Sequence, residues 1–215
     1  MPWIWNAVIL LLAYLLGSIP NAVWIGRLFF STDVRNHGSK NAGSTNTIRV
    51  LGYKAGIPVL LLDILKGFLA VKMIYLTFYY IPATGEYINF QLLLGLAVII
   101  GHIFPVFANF RGGKGVATLI GVILAIDPVS MLICIGVFMI TLIVTKYVSL
   151  SSMIAGLSFP VLVIVVFNTT TSSLIIFSLI VFVLLLFTHQ KNIERLLNNE
   201  ESKANFLFRK RDVSN

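Results

Sequence analysis

The sequence RGGKGVATLIGVILAI, residues 111–126, decides how this chain folds. Its apolar part, residues 116–126, covers about 16 Å as an α-helix, roughly half of a hydrocarbon core that is about 30 Å thick. After Asp127 and Pro128 the chain becomes apolar again over residues 129–145. Whether these two stretches form one helix or two determines on which side of a membrane every later part of the chain lies.

With the two stretches kept separate, the sequence contains seven apolar segments that are predicted to be helices. They are residues 3–28, 56–80, 90–107, 116–126, 129–145, 153–167 and 172–187. The fourth is too short to cross a bilayer without help from surrounding protein.

The charged residues favour this division. Basic residues between the segments then all fall in connections on one side or in the C-terminal tail: Arg27, Arg35, Lys40, Arg49, Lys54, Arg111, Lys114, Lys146, Lys191, Arg195, Lys203, Arg209, Lys210 and Arg211. The opposite connections carry only Glu86, Asp127 and the neutral residues 168–170. Merging the two stretches would place Lys146 and the basic tail outside. Because cytoplasmic loops are the basic ones, we expect an all-α membrane protein, a bundle of about seven transmembrane helices, with the N-terminus outside and the C-terminus cytoplasmic.

The composition supports lipid as the solvent. Of the 215 residues, 58% are hydrophobic and 11% are charged, and the mean hydropathy is +0.94. Soluble proteins average about 45–50% apolar and about 25% charged residues. The formal net charge of +8 does not indicate nucleic-acid binding, because the cations lie between apolar segments. That arrangement suits the inner membrane leaflet and small anionic substrates.

The chain is predicted to be a single domain, residues 1–215, with a basic cytoplasmic tail from about residue 198. No cation precedes the first apolar segment and no cleavage motif follows it, so we expect it to be retained rather than removed as a signal peptide. Cys134 is the only cysteine, which excludes disulfides and cysteine-based metal sites. The three histidines lack paired-ligand spacing, so no metal and no cofactor is predicted.

Polar residues interrupt two of the apolar segments. Residues 17–20, Gly-Ser-Ile-Pro, predict a kink in the first segment, either for packing or to shape a cavity. Asp63 and Lys66 lie one helical turn apart in the second. Each would cost about 2.5–3.5 kcal/mol at the bilayer centre, so they are expected to pair with each other or to contact substrate. Lys72 is expected to snorkel.

Two polar clusters have the composition of anion sites. Residues 33–49 are rich in Gly, Ser, Thr and Asn with interleaved cations, and Ser44, Thr45 or Asn46 is expected to cap a short following helix. Residues 111–118, Arg-Gly-Gly-Lys-Gly-Val-Ala-Thr, lead into the short fourth helix. Its N-terminus offers unpaired N–H groups and a partial positive charge, to which Lys114 adds a full one. The spacing is not that of a Walker A loop.

Two further clusters are predicted on the same side. Residues 146–152 have the composition of a capped turn. His189 and Asn192 are expected to be neighbours on a continuing helix, with Arg195 one turn further. Histidine can move protons or donate hydrogen bonds near neutrality. His102, near the end of the third segment, is expected either to line the same cavity or to satisfy a buried polar contact.

Together these motifs resemble the acyl-phosphate-dependent glycerol-3-phosphate acyltransferases, the PlsY family. The matching stretches occur in the family's order along nearly the whole chain: residues 17–20, 35–52, 62–67, 101–107, 112–118, 147–150 and 189–195. The tail from about residue 198 is outside the resemblance.

The resemblance implies a bacterial inner-membrane, multi-pass enzyme whose active site faces the cytoplasm. It would transfer an acyl group from acyl phosphate to the 1-hydroxyl of glycerol 3-phosphate, giving lysophosphatidate and inorganic phosphate, the first step of phospholipid synthesis. Expected partners are these substrates, membrane lipid and, by functional coupling, the enzyme that makes acyl phosphate; nucleic acid is not expected.

The candidate site residues follow from the motifs and the resemblance together. Expected catalytic residues are Ser39, His189 and Asn192. Expected phosphate-binding residues are Asn41, Thr45, Asn46, Arg49, Gly112, Gly113, Lys114, Gly115 and Thr118, and expected supporting residues are Lys66, His102, Ser149 and Arg195. His189 is expected either to deprotonate the attacking hydroxyl or only to orient it, since acyl phosphate is already activated. Ser39, Asn192 or backbone N–H groups are candidates for oxyanion stabilisation.

Three other classes fit the sequence less well. A transporter for small anions or phospholipids would use the same basic cavity, but the chain shows no inverted repeat. An intramembrane serine protease would need a nucleophile motif that is absent. An acyltransferase with a His-x4-Asp motif is a poor match, because Glu194 stands where the motif needs Asp.

Overall fold

The structure is a computed structural model that describes residues 2–204. Arg209, Lys210 and Arg211 of the predicted basic tail lie outside these residues. The described chain contains ten α-helices: α1 (Pro2–Gly17), α2 (Asn21–Phe30), α3 (Ser44–Leu51), α4 (Tyr53–Lys72), α5 (Gly85–Ile103), α6 (Val116–Ile126), α7 (Pro128–Thr145), α8 (Val148–Val161), α9 (Ser172–Thr188) and α10 (Gln190–Leu197). The predicted all-α membrane class is confirmed.

Each predicted apolar segment is helical, with corrected bounds. The first is two helices, α1 and α2, which meet at an angle of 43°; the Gly17–Pro20 interruption is therefore a true break. The second ends its α-helix at Lys72, earlier than expected, and continues as a 3-10 turn, Met73–Leu76. The sixth begins earlier, at Val148, and passes after Pro160 into a π-helical turn, Leu162–Val166. Proline has no N–H to donate, and such a loss often accompanies irregular turns.

Helix length alone does not give the number of membrane crossings. Three stretches, Gly85–Ala108, Pro128–Thr145 and Val148–Val166, are long and apolar enough to span, and five are if the bent pairs α1–α2 and α9–α10 each count as one. The remaining candidates are α4, whose 20 residues include four charged ones, and α6, which has 11 residues.

The short helix α6 is packed against α4, α5 and α7. Its contact with α4 is backbone to backbone, because a Cβ at Gly121 would collide with the carbonyl oxygen of Ile64 and a Cβ at Gly67 with that of Thr118. Small residues permit such close approach between membrane helices. Surrounding protein therefore allows a helix of half the usual length within the bundle.

Lys72 does more than snorkel. Its ammonium group donates a hydrogen bond to the carbonyl oxygen of Ala125, 3.3 Å away, in the last turn of α6. A cation at a helix C-terminus compensates the partial negative charge of the unpaired carbonyls. Lys72 thus stabilises the end of α6.

Candidate active site

A single large cavity of about 670 Å³ collects most of the predicted site residues. One end is polar and is lined by the segment before and within α3, by Lys114 and by residues after α9. The other end is apolar and is lined by side chains of α4, α6, α7, α8 and α9. The cavity therefore joins a cationic chamber, defined here as the polar end around Arg49, Lys114 and Arg195, to an apolar arm.

The first wall of the cationic chamber is the segment around α3, organised by Asn46. The buried Asn46 amide donates to the carbonyl oxygens of Val34, Asn41 and His37 at 2.8, 3.0 and 3.1 Å, and its Oδ1 accepts the N–H of Ser39 at 2.8 Å. These bonds hold Ser39 at the cavity wall. Asn46 thus shapes the loop with all of its polar atoms.

The expectation that Ser44, Thr45 or Asn46 caps α3 is wrong. Gly43 occupies the N-cap position and no side chain caps this helix. The Thr47 hydroxyl donates to the Gly43 carbonyl at 3.0 Å instead. Ser44 and Thr45 lie inside the first turn and line the cavity.

The second wall is the glycine loop, defined here as residues 112–115. Gly115 has a positive φ of +82° and lies at the N-cap of α6, so the helix starts at Val116 as predicted. The Lys114 ammonium donates to Oδ1 of Asn192, and its carbonyl oxygen accepts the Thr188 hydroxyl at 3.2 Å. The loop is thereby connected to the end of α9.

The third wall is the break between α9 and α10. The predicted continuous helix is wrong at this point: α9 ends at Thr188, and α10 is turned from it by 61°. His189 and Asn192 lie at the break, 2% and 4% exposed, and both line the cavity. His189 Nδ1 is 2.8 Å from the carbonyl oxygen of Leu185. Since a carbonyl only accepts, Nδ1 carries the proton and Nε2 of the neutral ring is an acceptor.

Sequence reasoning missed Glu201. Its carboxylate accepts hydrogen bonds from the Ser149 hydroxyl at 2.6 Å, the Asn192 amide at 2.7 Å and Nε of Arg195 at 2.8 Å. Burial alone would raise the pKa of Glu201, but these hydrogen bonds hold it below its usual value. The only signal in the sequence was a pair of acidic residues, Glu200 and Glu201, at the start of a tail that is basic overall.

The chain segment carrying Glu201 folds back over the polar end of the cavity. The N–H of Ala204 donates to the carbonyl oxygen of Lys146 at 2.7 Å, and Ala204 is buried. The ammonium of Lys203 lies 5.7 Å from the centre of the Tyr147 ring. The prediction of a capped turn over residues 146–152 is wrong, because only Lys146 and Tyr147 lie outside helices and Val148 already begins α8, which has no side-chain cap. This connection and Ser149 instead anchor residues 201–204.

The structure separates the predicted site residues into two groups. Those that line the cavity are Ser39, Asn41, Thr45, Asn46, Arg49, His102, Lys114, Gly115, Ser149, His189, Asn192 and Arg195. The others lie behind this lining: Gly112, Gly113, Thr118 and Lys66. Asp63, expected either to pair with Lys66 or to contact substrate, lines the cavity too.

The cationic chamber has an excess of positive charge. Arg49, Lys114 and Arg195 border it, and Glu201 is its acidic neighbour. Burial lowers the pKa of Lys114 to about 8, an effect that Glu201 opposes and that Arg195 and Arg49 reinforce. Such a chamber is suited to bind an anion, which would restore a full charge on Lys114.

The sequence matches the family model described as glycerol-3-phosphate acyltransferase over residues 7–199. This chain belongs to the glycerol-3-phosphate acyltransferase family. The resemblance inferred from the motifs is thus confirmed, and the protein is a multi-pass integral membrane acyltransferase.

Relatives and solved structures agree. The chain is 43% identical to a glycerol-3-phosphate acyltransferase of Enterococcus faecalis over 213 residues, 96% of this chain and 95% of the relative. It is 40% identical to one of Chlorobium phaeobacteroides over 225 residues, 92% of this chain and 96% of the relative.

Two crystal structures of PlsY, an integral membrane glycerol 3-phosphate acyltransferase, share this fold. The glycerol 3-phosphate form is 34% identical, with a TM-score of 0.83, and covers 95% of this chain and 99% of that one. The lysophosphatidic acid form is 32% identical, with a TM-score of 0.82 and the same coverage. The helices and the break at His189 therefore lie in a fold that binds these molecules in a relative.

Proposed function

We propose that this enzyme transfers the acyl group of an acyl phosphate to the 1-hydroxyl of glycerol 3-phosphate, giving lysophosphatidate and inorganic phosphate. The observation that carries the proposal is the shape of the cavity, in which a cationic chamber opens into an apolar arm. Both substrates carry a phosphate and one carries a hydrocarbon chain. One cavity thus offers matching surroundings for every part of both molecules.

In this proposal the phosphates bind in the cationic chamber. Arg49 provides a planar donor that can grip phosphate through two hydrogen bonds, while Lys114 provides a compact charge at the N-terminus of α6. Thr45 and Asn41 add polar groups at the same wall. The PlsY structures with glycerol 3-phosphate and lysophosphatidic acid support a phosphate-bearing acceptor and a phosphate-bearing product.

The acyl chain lies in the apolar arm. Its wall includes Ile123 of α6, Cys134 and Phe138 of α7 and Phe159 of α8. Burial of each methylene group in such surroundings contributes about 0.8 kcal/mol. The arm thus binds the donor through its chain while the chamber holds its headgroup.

The reaction forms one bond to the acyl carbon, breaks another, and moves one proton. The glycerol 1-hydroxyl oxygen attacks the acyl carbonyl carbon, and the bond from that carbon to the phosphate oxygen breaks. Nε2 of His189 accepts a hydrogen bond from the hydroxyl and orients it, and the departing phosphate takes the proton. A strong base is not required, because the donor is a mixed anhydride with a good leaving group. Ser39 and Asn192 donate to the oxyanion, a contact of the kind that is worth about 2.7–4 kcal/mol.

The whole chain, residues 1–215, acts as one domain in a bacterial plasma membrane. The distribution of basic connections supports an outer N-terminus and a cytoplasmic chamber. Acyl phosphate would come from the enzyme that makes it, with which this one is functionally coupled, and the product would enter phospholipid synthesis as its first intermediate.

A donor comparison tests the reaction. Purified protein is given glycerol 3-phosphate with acyl phosphate, acyl-CoA or acyl carrier protein carrying the same chain. We expect lysophosphatidate and inorganic phosphate in equal amounts from acyl phosphate alone. Product from acyl-CoA with release of CoA, while acyl phosphate stays intact, would overturn the donor assignment and leave the family activity in place.

Cysteine labelling tests the orientation. In a Cys134→Ser background, single cysteines at Lys40 and Glu86 are treated with a membrane-impermeant maleimide in right-side-out and inverted vesicles. We expect Lys40→Cys to react in inverted vesicles and Glu86→Cys in right-side-out ones. Reaction of both from the same side would refute the proposed topology.

A further inference from the structure

A buried polar cluster lies directly beneath the glycine loop. It consists of Asp63 and Lys66 on α4, His102 on α5 and Thr118 on α6, which are 1%, 4%, 6% and 0% exposed. Three helices of an apolar bundle thus each contribute a costly polar side chain to one point. Ionisable groups in such positions usually serve function.

The glycine loop rests on His102. The N–H of Gly113 donates to the His102 carbonyl oxygen at 3.2 Å. A Cβ at Gly112 would collide with that same oxygen, and a Cβ at Gly113 would collide with Nε2 of the ring. Glycine is therefore required at both positions for the loop to sit in contact with His102. The contact therefore also fixes the position of Lys114, the next residue, in the cationic chamber.

The ring of His102 is itself held from the other side. Its Nδ1 lies 3.0 Å from the Thr118 hydroxyl and 3.7 Å from Oδ1 of Asp63. Asp63 is fixed in turn by Lys66 at 2.9 Å and by the Asn21 amide at 2.8 Å. These buried and hydrogen-bonded neighbours hold the ring in one orientation.

The break between α1 and α2 also contacts the buried polar cluster. Lys66 donates to the carbonyl oxygen of Ile19 at 2.9 Å, which lies in the break and also accepts the N–H of Asn21 at 3.1 Å. Asn21, the first residue of α2, reaches Asp63 from the same break. The cluster therefore links the α1–α2 break, α4, α5 and α6 to His102, on which the glycine loop packs.

We propose that His102, held by Asp63, Lys66 and Thr118, is a positioning residue that sets the location of Lys114 in the cationic chamber. The inference rests on the proposed contact of Lys114 with a substrate phosphate. In this proposal Thr118 and Lys66, which do not line the cavity, act indirectly by holding His102 in place. His102 acts through the loop rather than on the reacting atoms.

The test is a double-mutant cycle on glycerol 3-phosphate acyltransferase activity, with the donor held at saturation. We expect His102→Ala to raise the KM for glycerol 3-phosphate at least tenfold while kcat changes by less than about threefold, since binding geometry is what the loop controls. In a Lys114→Ala background the same change should have little further effect, because residues that act through one another are not additive.

Thr118→Val is the milder variant, since it removes the hydroxyl and keeps the volume. It should shift KM in the same direction with a smaller magnitude. Ser178→Ala is the control: Ser178 is equally buried but bonds only within its own helix, to the Ile175 carbonyl. It should leave KM unchanged.

The pH profile separates positioning from simple loss of packing. A displaced loop exposes Lys114 to water, which relieves the burial that lowers its pKa. In His102→Ala the alkaline limb of the kcat/KM profile should therefore shift to higher pH. Additive effects of His102→Ala and Lys114→Ala, or an unchanged KM in His102→Ala, would overturn the inference. Unchanged kinetics in Lys114→Ala alone would instead refute the phosphate assignment on which it rests.

Discussion

His189 donates a hydrogen bond from Nδ1 to the carbonyl oxygen of Leu185, 2.8 Å away and one turn earlier in the chain. This bond fixes the tautomer and leaves Nε2 as an acceptor at the cavity wall. The same carbonyl oxygen accepts the backbone N–H of His189 at 3.1 Å. The last turn of α9 therefore holds both the backbone and the ring of His189.

The first prediction concerns this ring. His189→Gln should reduce kcat/KM by less than the roughly 10²–10⁴-fold that removal of a general base causes, and the pH profile should keep its shape. A steady-state pH series measures both. His37→Gln, at an exposed histidine of the same side, is the control. A larger loss together with disappearance of the acidic limb would show that His189 is a base.

The second prediction concerns Lys114. Burial lowers its pKa to about 8, and a lysine is cationic only below its pKa. The free enzyme should therefore lose kcat/KM for glycerol 3-phosphate as pH rises through about 8. Lys114→Arg keeps its charge at higher pH and should remove this limb, even if its activity at neutral pH is lower.

The exposed Lys191 offers a matched control for that experiment. Lys191→Arg should retain the wild-type pH profile. An alkaline limb that survives in Lys114→Arg would assign the titration to another group.

The third prediction concerns Glu201, which bridges Ser149, Asn192 and Arg195. Glu201→Gln keeps one acceptor oxygen but turns an amide N–H₂ toward Arg195, so it loses a charge-assisted hydrogen bond worth about 1.5–3 kcal/mol. We expect lower thermal stability in detergent and reduced activity. Glu194→Gln, exposed on α10, should have neither effect.

The stability lost in Glu201→Gln should depend on pH in a defined direction. A carboxyl whose folded pKa is lowered contributes stability that is lost as pH falls through that pKa. The difference between wild type and variant should thus narrow in acid. A constant difference at every pH would mean that the charge of Glu201 is unimportant.

The fourth prediction concerns the buried pair Asp63 and Lys66, 2.9 Å apart. Asp63→Asn or Lys66→Met alone leaves an unpaired charge in the bundle and should cost about 3–5 kcal/mol. The double variant should be more stable than either single one, as thermal unfolding in detergent will measure. Arg27→Met removes a largely exposed partner of Asp33 and leaves the Arg35–Asp33 ion pair in place, so it should cost no more than about 1 kcal/mol. A double variant less stable than both single ones would contradict a charge-pair role.

The fifth prediction concerns the apolar arm. Cys134 lines it, so Cys134→Phe fills space that the proposed acyl chain occupies. Each displaced methylene costs about 0.8 kcal/mol, and long-chain donors should lose more activity than short-chain ones. Ile133→Phe, one position along on the exposed face of α7, should leave the preference unchanged. Equal losses for all chain lengths would place the acyl chain elsewhere.

Local signals in the sequence accounted for much of the helical framework. The bounds of α6 were predicted correctly from its apolar run. In the structure the helix is limited by Gly115, whose left-handed backbone conformation lies outside the helix, and by Asp127, which caps the next helix. The break at residues 17–20 followed from proline chemistry. The glycine loop and the α3 segment were found because their composition suits anions whatever the surrounding fold.

Contacts between residues distant in the chain could not be predicted from such local signals. Lys72 looked like a snorkelling residue until the end of α6 was seen beside it, and Thr118 looked like a phosphate ligand until its hydroxyl was found against His102. Glu201 carried no recognisable pattern at all.

The sequence by itself determined which segments are apolar helices and where glycine and proline interrupt them, since both depend on neighbours along the chain. Only the tertiary structure decided that Ser39, Lys114 and His189 border one cavity. It also placed Glu201 over the polar end of that cavity and His102 beneath the glycine loop. Those relationships join residues tens of positions apart, and their energies depend on distances and burial that exist only once the helices have packed.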